Sequence, residues 1–494
     1  MTGPIDWRAG EPEFRRRLER DLARSPGSDG LLHQNARRTV RRVSLRPPDR
    51  KEALPIPAIV KIHHGATGHH ALRERMKGWI DRSPAGREWS ALQRLHGAGV
   101  PVPQPLARGR LSNGDEILVM SDLGGVPLAD AFRLASPDER AGILQAITDA
   151  VGLLHASGHR HGDLHLGNLQ LVGSRIFLLD LQRVRPLRHP DDRLPDLAGL
   201  ELSTARAGWT SAERKALRDH FGTDATIGGA LVPFLIDHVR GRSRRVLRPG
   251  RRWARAGRNG RRGLRERDLS EASLADLLGS ADRETPLSER RAGRIRIGVV
   301  PSGNRDVVLK HARTDGLRRA LADRLRGSSA ARAFRAGQKR LLLSGDVARP
   351  LAFLEAKRLG LPRESWLLLE GVGETDLDRF RPEDPETALR VALSLAEWLA
   401  DQHAWGLSHR DLKGGNLRIS ITNGSIRFWL VDLEDLTGPG PVSEQMRIRA
   451  LSQLNASLAD EAFSSVVRRA ALDAYCDRLP FSLERETVAA LIMR

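Results

Sequence analysis

The chain is poor in cysteine, tyrosine and lysine. Cys476 is its only cysteine, which excludes disulfides within the chain and cysteine metal clusters, and suits a reducing compartment. Aromatic residues make up 4% of the sequence and tyrosine occurs once. Platforms for stacking bases are therefore few, and nucleic acid is not expected as a partner.

Long apolar runs are also lacking. No stretch approaches the roughly 18 consecutive apolar residues that a membrane-spanning helix needs, and the first residues are charged rather than apolar. We therefore expect a cytoplasmic protein that would meet a membrane only peripherally, at its surface. With 494 residues, of which 40% are apolar, the chain is long enough for two globular domains.

One short pattern of chemically active residues occurs twice. Its two copies are His161-Gly162-Asp163 with Asn168 and Asp180, and His409-Arg410-Asp411 with Asn416 and Asp432. In both copies an Asn follows the first Asp by five residues, and an apolar run precedes the last Asp. This spacing is typical of the catalytic loop of kinases, so it predicts two phosphoryl-transfer sites.

Each residue type in the pattern meets one need of phosphoryl transfer. A carboxylate must orient the acceptor hydroxyl, and Asp163 and Asp411 are the candidates. An amide oxygen and a second carboxylate must hold Mg²⁺ against the phosphates of ATP, because Mg²⁺ prefers oxygen ligands. The predicted metal ligands are Asn168, Asp180, Asn416 and Asp432. Lys413, two residues after Asp411, is a further catalytic candidate.

Each copy also has a lysine inside an apolar strand. Only 8 of the 81 basic residues are Lys, and the other 73 are Arg. Because lysine is so rare in this chain, its presence inside two apolar strands, as Lys61 and Lys310, indicates a specific role. A compact ammonium suits the phosphates of a nucleotide and can be held by a glutamate from the following helix. Glu88 is the predicted partner of Lys61, whereas the alignment places Ala333 at the corresponding position of the second copy. The alternative for either lysine is a strand residue that extends its ammonium to solvent.

Two features of regulated kinases are missing from the sequence. No Gly-x-Gly-x-x-Gly precedes either lysine, so an irregular phosphate-covering loop is predicted around Gly298 to Gly303 in the second copy, and none is identified in the first. Neither metal-binding Asp is followed by Phe-Gly, and no Ala-Pro-Glu element follows. A phosphorylation-controlled activation loop is therefore not expected.

The surroundings of the two patterns set the predicted domains. Ser136-Pro137 and Asp384-Pro385 each predict the start of a helix that leads to the catalytic loop. The predicted boundaries are 1–30 for an N-terminal extension, 31–240 for the first domain, 241–285 for a linker and 286–494 for the second domain.

The predicted linker is marked by its composition. Residues 240–267 are crowded with Arg and Gly, within a chain whose net charge is +20. Such a run would draw the protein to an anionic membrane surface. A merely solvated linker is the alternative.

Three segments of the first copy carry a family resemblance. They are Arg87-Glu88-Trp89, Gly99–Pro103 and His161–Leu169. They resemble the lipopolysaccharide kinases, the Kdo/heptose kinase family of protein-kinase-like enzymes, over about residues 30–240 and again over about 290–470. The resemblance implies an α+β fold of two tandem bilobal kinase-like domains, each with a β-rich lobe and a helical lobe.

The resemblance also implies a function. The family uses ATP to phosphorylate inner-core sugars of lipopolysaccharide at the inner face of the cytoplasmic membrane, so a glycolipid or sugar acceptor is expected. Carried over, Lys61 and Glu88 become the phosphate-binding ion pair and Asp163 the catalytic base. The first copy alone has the complete set of residues, and we expect it to be the more competent catalyst.

Two other functions stay open. A protein Ser/Thr kinase is favoured by the segment from His409 to Asn416 and weakened by the missing activation-loop signals. A non-catalytic scaffold, in which one or both copies are pseudokinases that bind a membrane or a partner, is the third possibility.

Overall fold

The structure is a computed structural model in which the chain forms two compact units. Unit 1 comprises Met1–Thr204 and Lys215–Asp224, and unit 2 comprises Ala205–Arg214 and Ala225–Arg494. The described residues are 5–12, 14–16, 18–19, 30–35, 37–45, 56–64, 83–221, 224–246, 248–250, 252–258, 260–283, 288–290, 295–302, 305–422 and 424–493. Both units combine sheets with helices, which confirms the predicted α+β class.

A six-stranded antiparallel sheet lies in unit 1, in the order β1-β5-β6-β4-β3-β2. Its strands are β1 (Ile5–Gly10), β2 (Leu31–Gln34), β3 (Arg38–Leu45), β4 (Ile56–His63), β5 (Pro105–Leu111) and β6 (Glu116–Ser121). Ala58, Val60 and Ile62 of β4 alternate into one buried apolar cluster. Because neighbouring side chains of a strand point to opposite faces, Lys61 is directed away from that cluster.

A seven-stranded antiparallel sheet lies in unit 2, in the order β12-β13-β17-β18-β16-β15-β14. Its strands are β12 (Trp253–Arg258), β13 (Arg261–Glu266), β14 (Ser288–Arg290), β15 (Ile295–Ser302), β16 (Arg305–Arg313), β17 (Pro350–Arg358) and β18 (Leu361–Glu370). Six of these strands repeat the order of the first sheet. Lys310 on β16 faces Leu367 across the ladder, as Lys61 on β4 faces Leu118. The two predicted lysines therefore have the same place in their sheets.

Short strands surround each catalytic loop. They are β7 (Val126–Pro127), β8 (His159–Arg160), β9 (Leu169–Val172), β10 (Arg175–Leu178), β11 (Arg185–Pro186), β19 (Thr375–Asp376), β20 (Ser408–His409), β21 (Leu417–Thr422), β22 (Ser425–Leu430) and β23 (Leu436–Thr437). The hairpins β9-β10 and β21-β22 follow the two loops. Each hairpin brings the chain back to the loop that precedes it, as the sequence pattern predicts.

Helices of the N-terminal half carry clear start signals. They are α1 (Pro84–Gly97), α2 (Leu128–Leu134), α3 (Pro137–Ala156), α4 (Leu194–Arg206), α5 (Ser211–His220) and α6 (Asp224–Val246). Ser83 caps α1 by accepting a hydrogen bond from the Gly86 N–H. Ser136 and Glu139 form a reciprocal capping box at the start of α3, which confirms the start predicted at Ser136-Pro137.

Helices of the C-terminal half enclose the larger core. They are α7 (Glu271–Arg283), α8 (Leu317–Arg326), α9 (Ser329–Leu341), α10 (Pro385–Ala404), α11 (Glu444–Asn455), α12 (Ser465–Arg478) and α13 (Arg485–Ile492). Asp384 caps α10, as predicted, and Val391 and Leu395 of that helix pack in a cluster with Leu417 and Leu430. Of the helices described, none combines the length and the apolar character needed to cross a membrane.

Two predicted boundaries differ from the structure. Strand β1 lies in the predicted N-terminal extension but pairs with β5 as part of the first sheet. Strand β13 lies in the predicted linker but pairs with β17 of the second sheet, and α7 follows it. Residues 253–283 are therefore not a linker. In addition, the segment from Ala225 onward belongs to unit 2 and not to the first domain.

Several arginines of the predicted linker have specific partners. Arg252 Nη2 lies 3.0 Å from Glu266 Oε1, and Arg265 Nη1 donates to the Leu269 carbonyl at 2.6 Å. The Arg261 guanidinium lies 4.2 Å from the ring centre of Trp366. Arg251 lies outside the described residues. These contacts give the arginines a role in holding the second sheet, since a guanidinium both pairs with carboxylates and stacks on rings.

Candidate active sites

The first site begins with a buried ion pair between the first sheet and α1. Lys61 Nζ of β4 lies 2.5 Å from Glu88 Oε1, and the two residues are 8% and 1% exposed. This contact confirms the partner predicted for Lys61. His63 Nε2 lies 3.8 Å from the other oxygen of Glu88. Burial, followed by the charge of Lys61, lowers the pKa of His63 to about 4, so at neutral pH Lys61 is the cation that Glu88 balances.

The catalytic loop is anchored by an aspartate that sequence reasoning missed. Asp196, in the first turn of α4, accepts hydrogen bonds from the backbone N–H groups of His161 at 2.6 Å and Gly162 at 2.8 Å. Its side chain is 1% exposed. The His161 ring lies fully buried and donates from Nε2 to the Leu179 carbonyl at 2.9 Å, so it positions the loop. Together these bonds fix the backbone that carries Asp163.

Gly162 is required by the shape of the loop. Its φ is 75°, and a Cβ built on it would lie 2.4 Å from the Arg183 carbonyl oxygen. Only glycine fits such a left-handed position without strain. The same close approach brings Arg183 Nη1 to 3.3 Å from Asp163 Oδ2. The catalytic carboxylate of the first site therefore has a cationic neighbour, which the sequence pattern did not predict.

The two predicted metal ligands of the first site lie on the β9-β10 hairpin. The Asn168 carbonyl accepts from the Leu179 N–H at 2.9 Å, which places Asp180 beside Asn168. Asn168 Nδ2 donates to the Asp163 carbonyl at 2.9 Å, leaving its amide oxygen for a cation. Burial would raise the pKa of Asp180, but the charges of Lys61 and Arg38 outweigh it, and the pKa lies below its usual value. Asp180 is therefore a carboxylate at neutral pH.

The donor set of the first site fits magnesium. An amide oxygen and a carboxylate are hard oxygen ligands, and Mg²⁺ usually takes one or two of these from a protein and completes its shell with phosphate and water. Within the described residues no group of three or more His, Cys, Asp or Glu could hold a metal by itself. An incomplete protein shell of this kind suits a cation that arrives with a nucleotide.

The hairpins β2-β3 in unit 1 and β14-β15 in unit 2 are the candidates for covering the phosphates. In each, the inner strand pairs with the lysine strand, Val40 facing Lys61 and Ile297 facing Lys310. Asn35 and Arg37 lie between β2 and β3, whereas residues 291–294, between β14 and β15, lie outside the described residues. The prediction near Gly298 to Gly303 was wrong, because Gly298 lies inside β15, facing Leu309 across the ladder. Gly303 lies outside the described residues.

The second site holds its lysine differently. Lys310 Nζ donates to the Val431 carbonyl at 2.9 Å and lies 3.7 Å from Asp432 Oδ1. The helix that packs against the sheet as α1 does is α9, where Ala333 is buried and offers no carboxylate. The ammonium of Lys310 thus faces the predicted metal ligand and not a glutamate of the helix.

Asp411, the predicted catalytic carboxylate of the second site, is paired with Lys413. Lys413 Nζ lies 2.7 Å from Asp411 Oδ2, and Asn416 Nδ2 donates to the Asp411 carbonyl at 2.8 Å. The hydrogen bond from Lys413 holds the pKa of Asp411 below its usual value. His409 Nε2 donates to the Asp432 carbonyl at 2.7 Å, whereas His161 donates to the carbonyl of Leu179, the residue before Asp180. The predicted residues of the second pattern are thus brought together.

Two differences separate the sites. Arg183 neighbours the catalytic Asp in the first site, whereas Lys413 does so in the second. In unit 2 the N–H of Gly414 bonds to Ser457 Oγ, as that of Leu166 bonds to Ser203 Oγ in unit 1. Asp196 precedes Ser203 by seven residues, and the residue seven before Ser457 is an alanine. The second catalytic loop therefore lacks the aspartate anchor.

Replacing Ala333 by Glu is expected to tighten Mg-ATP binding at the second site about tenfold. The new carboxylate would compete with Asp432 for Lys310 and hold the ammonium toward the phosphates, and a charged hydrogen bond contributes about 1.5 kcal/mol. Nucleotide titration of the full chain with Lys61→Ala, which weakens the first site, measures this.

Ala333→Gln is the matched control, since it has the same size without the charge. Thermal unfolding shows whether the buried position tolerates the larger side chain. Equal ATP affinity in a folded Glu variant and in the Gln variant would mean that residue 333 does not face Lys310.

Comparison with known proteins finds a family profile that matches the part of the chain containing the first site. Residues 48–221 match the profile of the lipopolysaccharide kinase (Kdo/WaaP) family. The lipopolysaccharide core heptose(I) kinase WaaP of Pseudomonas aeruginosa is 25% identical over 183 residues, which are 33% of this chain and 68% of that protein. The RIO-type serine/threonine-protein kinase Rio1 of Haloferax volcanii is 31% identical over 117 residues. Those residues are 23% of this chain and only 38% of the relative.

A solved structure is similar at a lower level. WaaP in complex with acyl carrier protein shares 22% sequence identity at a TM-score of 0.32, covering 44% of this chain and 88% of that one. The family match contains Lys61, Glu88, Asp163, Asn168 and Asp180, and together with the similarity to WaaP it indicates a phosphotransferase of the kinase type.

Proposed function

We propose, since residues 48–221 are a kinase domain of the lipopolysaccharide kinase (Kdo/WaaP) family, that this protein uses ATP and Mg²⁺ to phosphorylate a hydroxyl of an inner-core sugar or a similar glycolipid. The observation that carries the proposal is the buried Lys61–Glu88 ion pair. Burying two charges costs desolvation free energy, so such a pair points to a functional role at this position. The same unit supplies Asp163, Asn168 and Asp180.

Each residue of the first site has one task in the proposed reaction. The acceptor oxygen forms a bond to the γ-phosphorus as the bond from that phosphorus to the bridging oxygen of ADP breaks. Asp163 orients the hydroxyl and takes its proton. Lys61, held by Glu88, binds the phosphates, while Asn168 and Asp180 would hold the Mg²⁺. The cation, when bound, neutralises charge on the phosphates.

A protein Ser/Thr kinase is the second candidate function, and one contact favours it. Lys413 lies against Asp411 in the second site. A lysine two residues after the catalytic Asp is a feature in which the second copy resembles Ser/Thr kinases. The similarity to Rio1 points the same way, although it covers 38% of that protein. In this reading the second site would have a different acceptor from the first.

A non-catalytic second unit is the third candidate. Its lysine has no glutamate on α9, and its catalytic loop has no counterpart of Asp196. A less rigidly placed ammonium should bind nucleotide more weakly or support slower transfer. Under this proposal unit 2 serves the first site as a binding module.

The glycolipid acceptor would bring the protein to the cytoplasmic face of a membrane. The Arg-rich composition of residues 240–267 alone would suggest strong binding to an anionic membrane surface. However, Arg252, Arg261 and Arg265 make contacts within the second sheet, so the segment supports this localisation only weakly. Arg262 is exposed and could meet anionic headgroups.

Transfer of labelled phosphate to two kinds of extract should separate these candidates. The full chain is incubated with labelled ATP and either a lipid extract or a protein extract of a lipopolysaccharide-bearing bacterium, and the products are partitioned between organic solvent and water. We expect label in the lipid fraction, and its loss in Asp163→Asn.

A companion variant, Asp411→Asn, shows which site produces the label. Label that stays in the lipid fraction with Asp411→Asn belongs to the first site. Label found only in protein, and removed by Asp411→Asn, would replace the glycolipid kinase by the Ser/Thr kinase. An Asp411→Asn variant that changes neither fraction favours a non-catalytic second unit.

A further inference from the structure

Arg38 stands at the tip of the phosphate-covering hairpin of unit 1. It is the first residue of β3 and directly follows Arg37. Asn35 Oδ1 accepts hydrogen bonds from the backbone N–H groups of Arg37 at 2.8 Å and Arg38 at 2.9 Å. The turn is therefore ordered by its own side chain, and the position of the Arg38 backbone is fixed.

These hydrogen bonds occupy backbone N–H groups that a hairpin of this kind would otherwise offer to phosphate. A glycine-rich turn offers free backbone N–H groups to the phosphate oxygens. Here Asn35 accepts from the N–H groups of Arg37 and Arg38, and the N–H of Asn35 itself donates to the Arg38 carbonyl. The backbone donors of these three described turn residues are thus occupied, and what they can offer to phosphate is their side chains.

The Arg38 side chain reaches into the site. Its Nη1 lies 3.1 Å from Oδ2 of Asp180, and the two side chains are 28% and 31% exposed. The other oxygen of Asp180 accepts from Gln182 Nε2 at 2.8 Å. Both carboxylate oxygens of the predicted metal ligand thus have hydrogen-bond donors.

A cation at Asp180 would change this arrangement. The oxygen that binds Mg²⁺ cannot also face a guanidinium at 3.1 Å without repulsion between the two cations. Arg38 would then have to turn away, and the nearest new anion would be the phosphate chain that arrives with the metal. Guanidinium binds phosphate bidentately and strongly.

We propose that Arg38 binds the nucleotide phosphates in the first site, and that its contact with Asp180 is the resting position of the same side chain. The inference rests on the proposed function and adds a phosphate-binding residue to it. Arg38 supplies from a side chain what a glycine-rich loop supplies from its backbone. It also keeps Asp180 paired until metal and nucleotide arrive together.

The strand register places a different residue at the corresponding position of the second unit. Val40 faces Lys61 and Ile297 faces Lys310, so the residue in the place of Arg38, two positions earlier, is Ile295. There Lys310 itself lies 3.7 Å from the corresponding aspartate, Asp432. The two sites should therefore differ in how strongly they depend on the triphosphate.

Nucleotide binding to the full chain tests the proposal. The chain carries Lys310→Ala to weaken the second site, and the dissociation constants of Mg-ATP and adenosine are measured with and without Arg38→Gln. We expect Mg-ATP to bind about tenfold or more weakly and adenosine to bind unchanged, with partial recovery in Arg38→Lys. Arg133→Gln, on the exposed face of α2, is the control and should change neither constant.

Manganese binding without nucleotide gives a second readout. If Asp180 is the resting partner, removal of Arg38 should free the carboxylate and tighten Mn²⁺ binding. Weaker Mn²⁺ binding, or an equal loss of ATP and adenosine affinity, would mean that Arg38 only supports Asp180, and would overturn the proposal. Unchanged Mg-ATP affinity would overturn it as well. A parent chain that binds no ATP at all would instead remove the proposed function.

Discussion

Asp163→Asn is expected to lower phosphate transfer to the acceptor by about 10²- to 10⁴-fold. The amide keeps the size of the side chain but cannot take the proton of the acceptor hydroxyl. The loop should keep its shape, because Asn168 bonds to the Asp163 carbonyl and not to its carboxylate. Initial rates with labelled ATP and the lipid acceptor measure the effect.

Nucleotide affinity separates this role from a structural one. Asp163 is expected to touch the acceptor and not the phosphates, so the Mg-ATP dissociation constant should change by about twofold at most. Arg183 lies 3.3 Å from the Asp163 carboxylate and would lose its partner in the variant. Arg183→Gln in the wild-type background therefore serves as the control for that loss. Lost ATP affinity in Asp163→Asn would place this aspartate on the nucleotide.

Asp196→Ala is expected to lower the free energy of unfolding by about 2 to 5 kcal/mol. The variant leaves two N–H groups, that of the buried His161 and that of Gly162, without their acceptor. It also frees the catalytic loop, so transfer should fall even where the protein stays folded. Urea unfolding followed by tryptophan fluorescence measures the stability, and the labelled-ATP assay measures the activity.

Two control variants show how large the stability loss of Asp196→Ala is in comparison. Asp196→Asn keeps one acceptor oxygen and should fall between wild type and Ala. Asp149→Ala removes an exposed carboxylate from α3 that accepts only from Gln145, and should change stability by about 0.5 kcal/mol or less. A stability loss in Asp196→Ala as small as that in Asp149→Ala would contradict the anchoring role.

The catalytic loops could be predicted because their constraints are local in sequence. The Asp-to-Asn spacing and the following hairpin fix the loop, and Asn168 and Asp180 lie together as expected. Helix starts at Ser136 and Asp384 were equally predictable, because the cap and the proline are adjacent in the chain. The Lys61–Glu88 pair could be predicted from the family resemblance together with the rarity of lysine.

The remaining features depend on contacts that are distant in sequence. Asp196 reaches a loop 34 residues earlier, and no local pattern marks it among the other acids. Arg38 is one of 73 arginines, and its value follows only from the pairing of β3 with the lysine strand. The abundance of Arg and Gly in residues 240–267 suggested a linker, yet the register of β13 against β17 makes part of this segment a strand of the second sheet.

The division of the chain has a consequence for how the protein can be taken apart. The polypeptide passes from unit 1 to unit 2 after Thr204, returns at Lys215 and leaves again after Asp224. A single protease cut anywhere between these points separates residues of one unit from the rest of that unit. Limited digestion should therefore not release two intact halves. During synthesis on the ribosome, unit 1 cannot complete its folding until residue 224 has emerged.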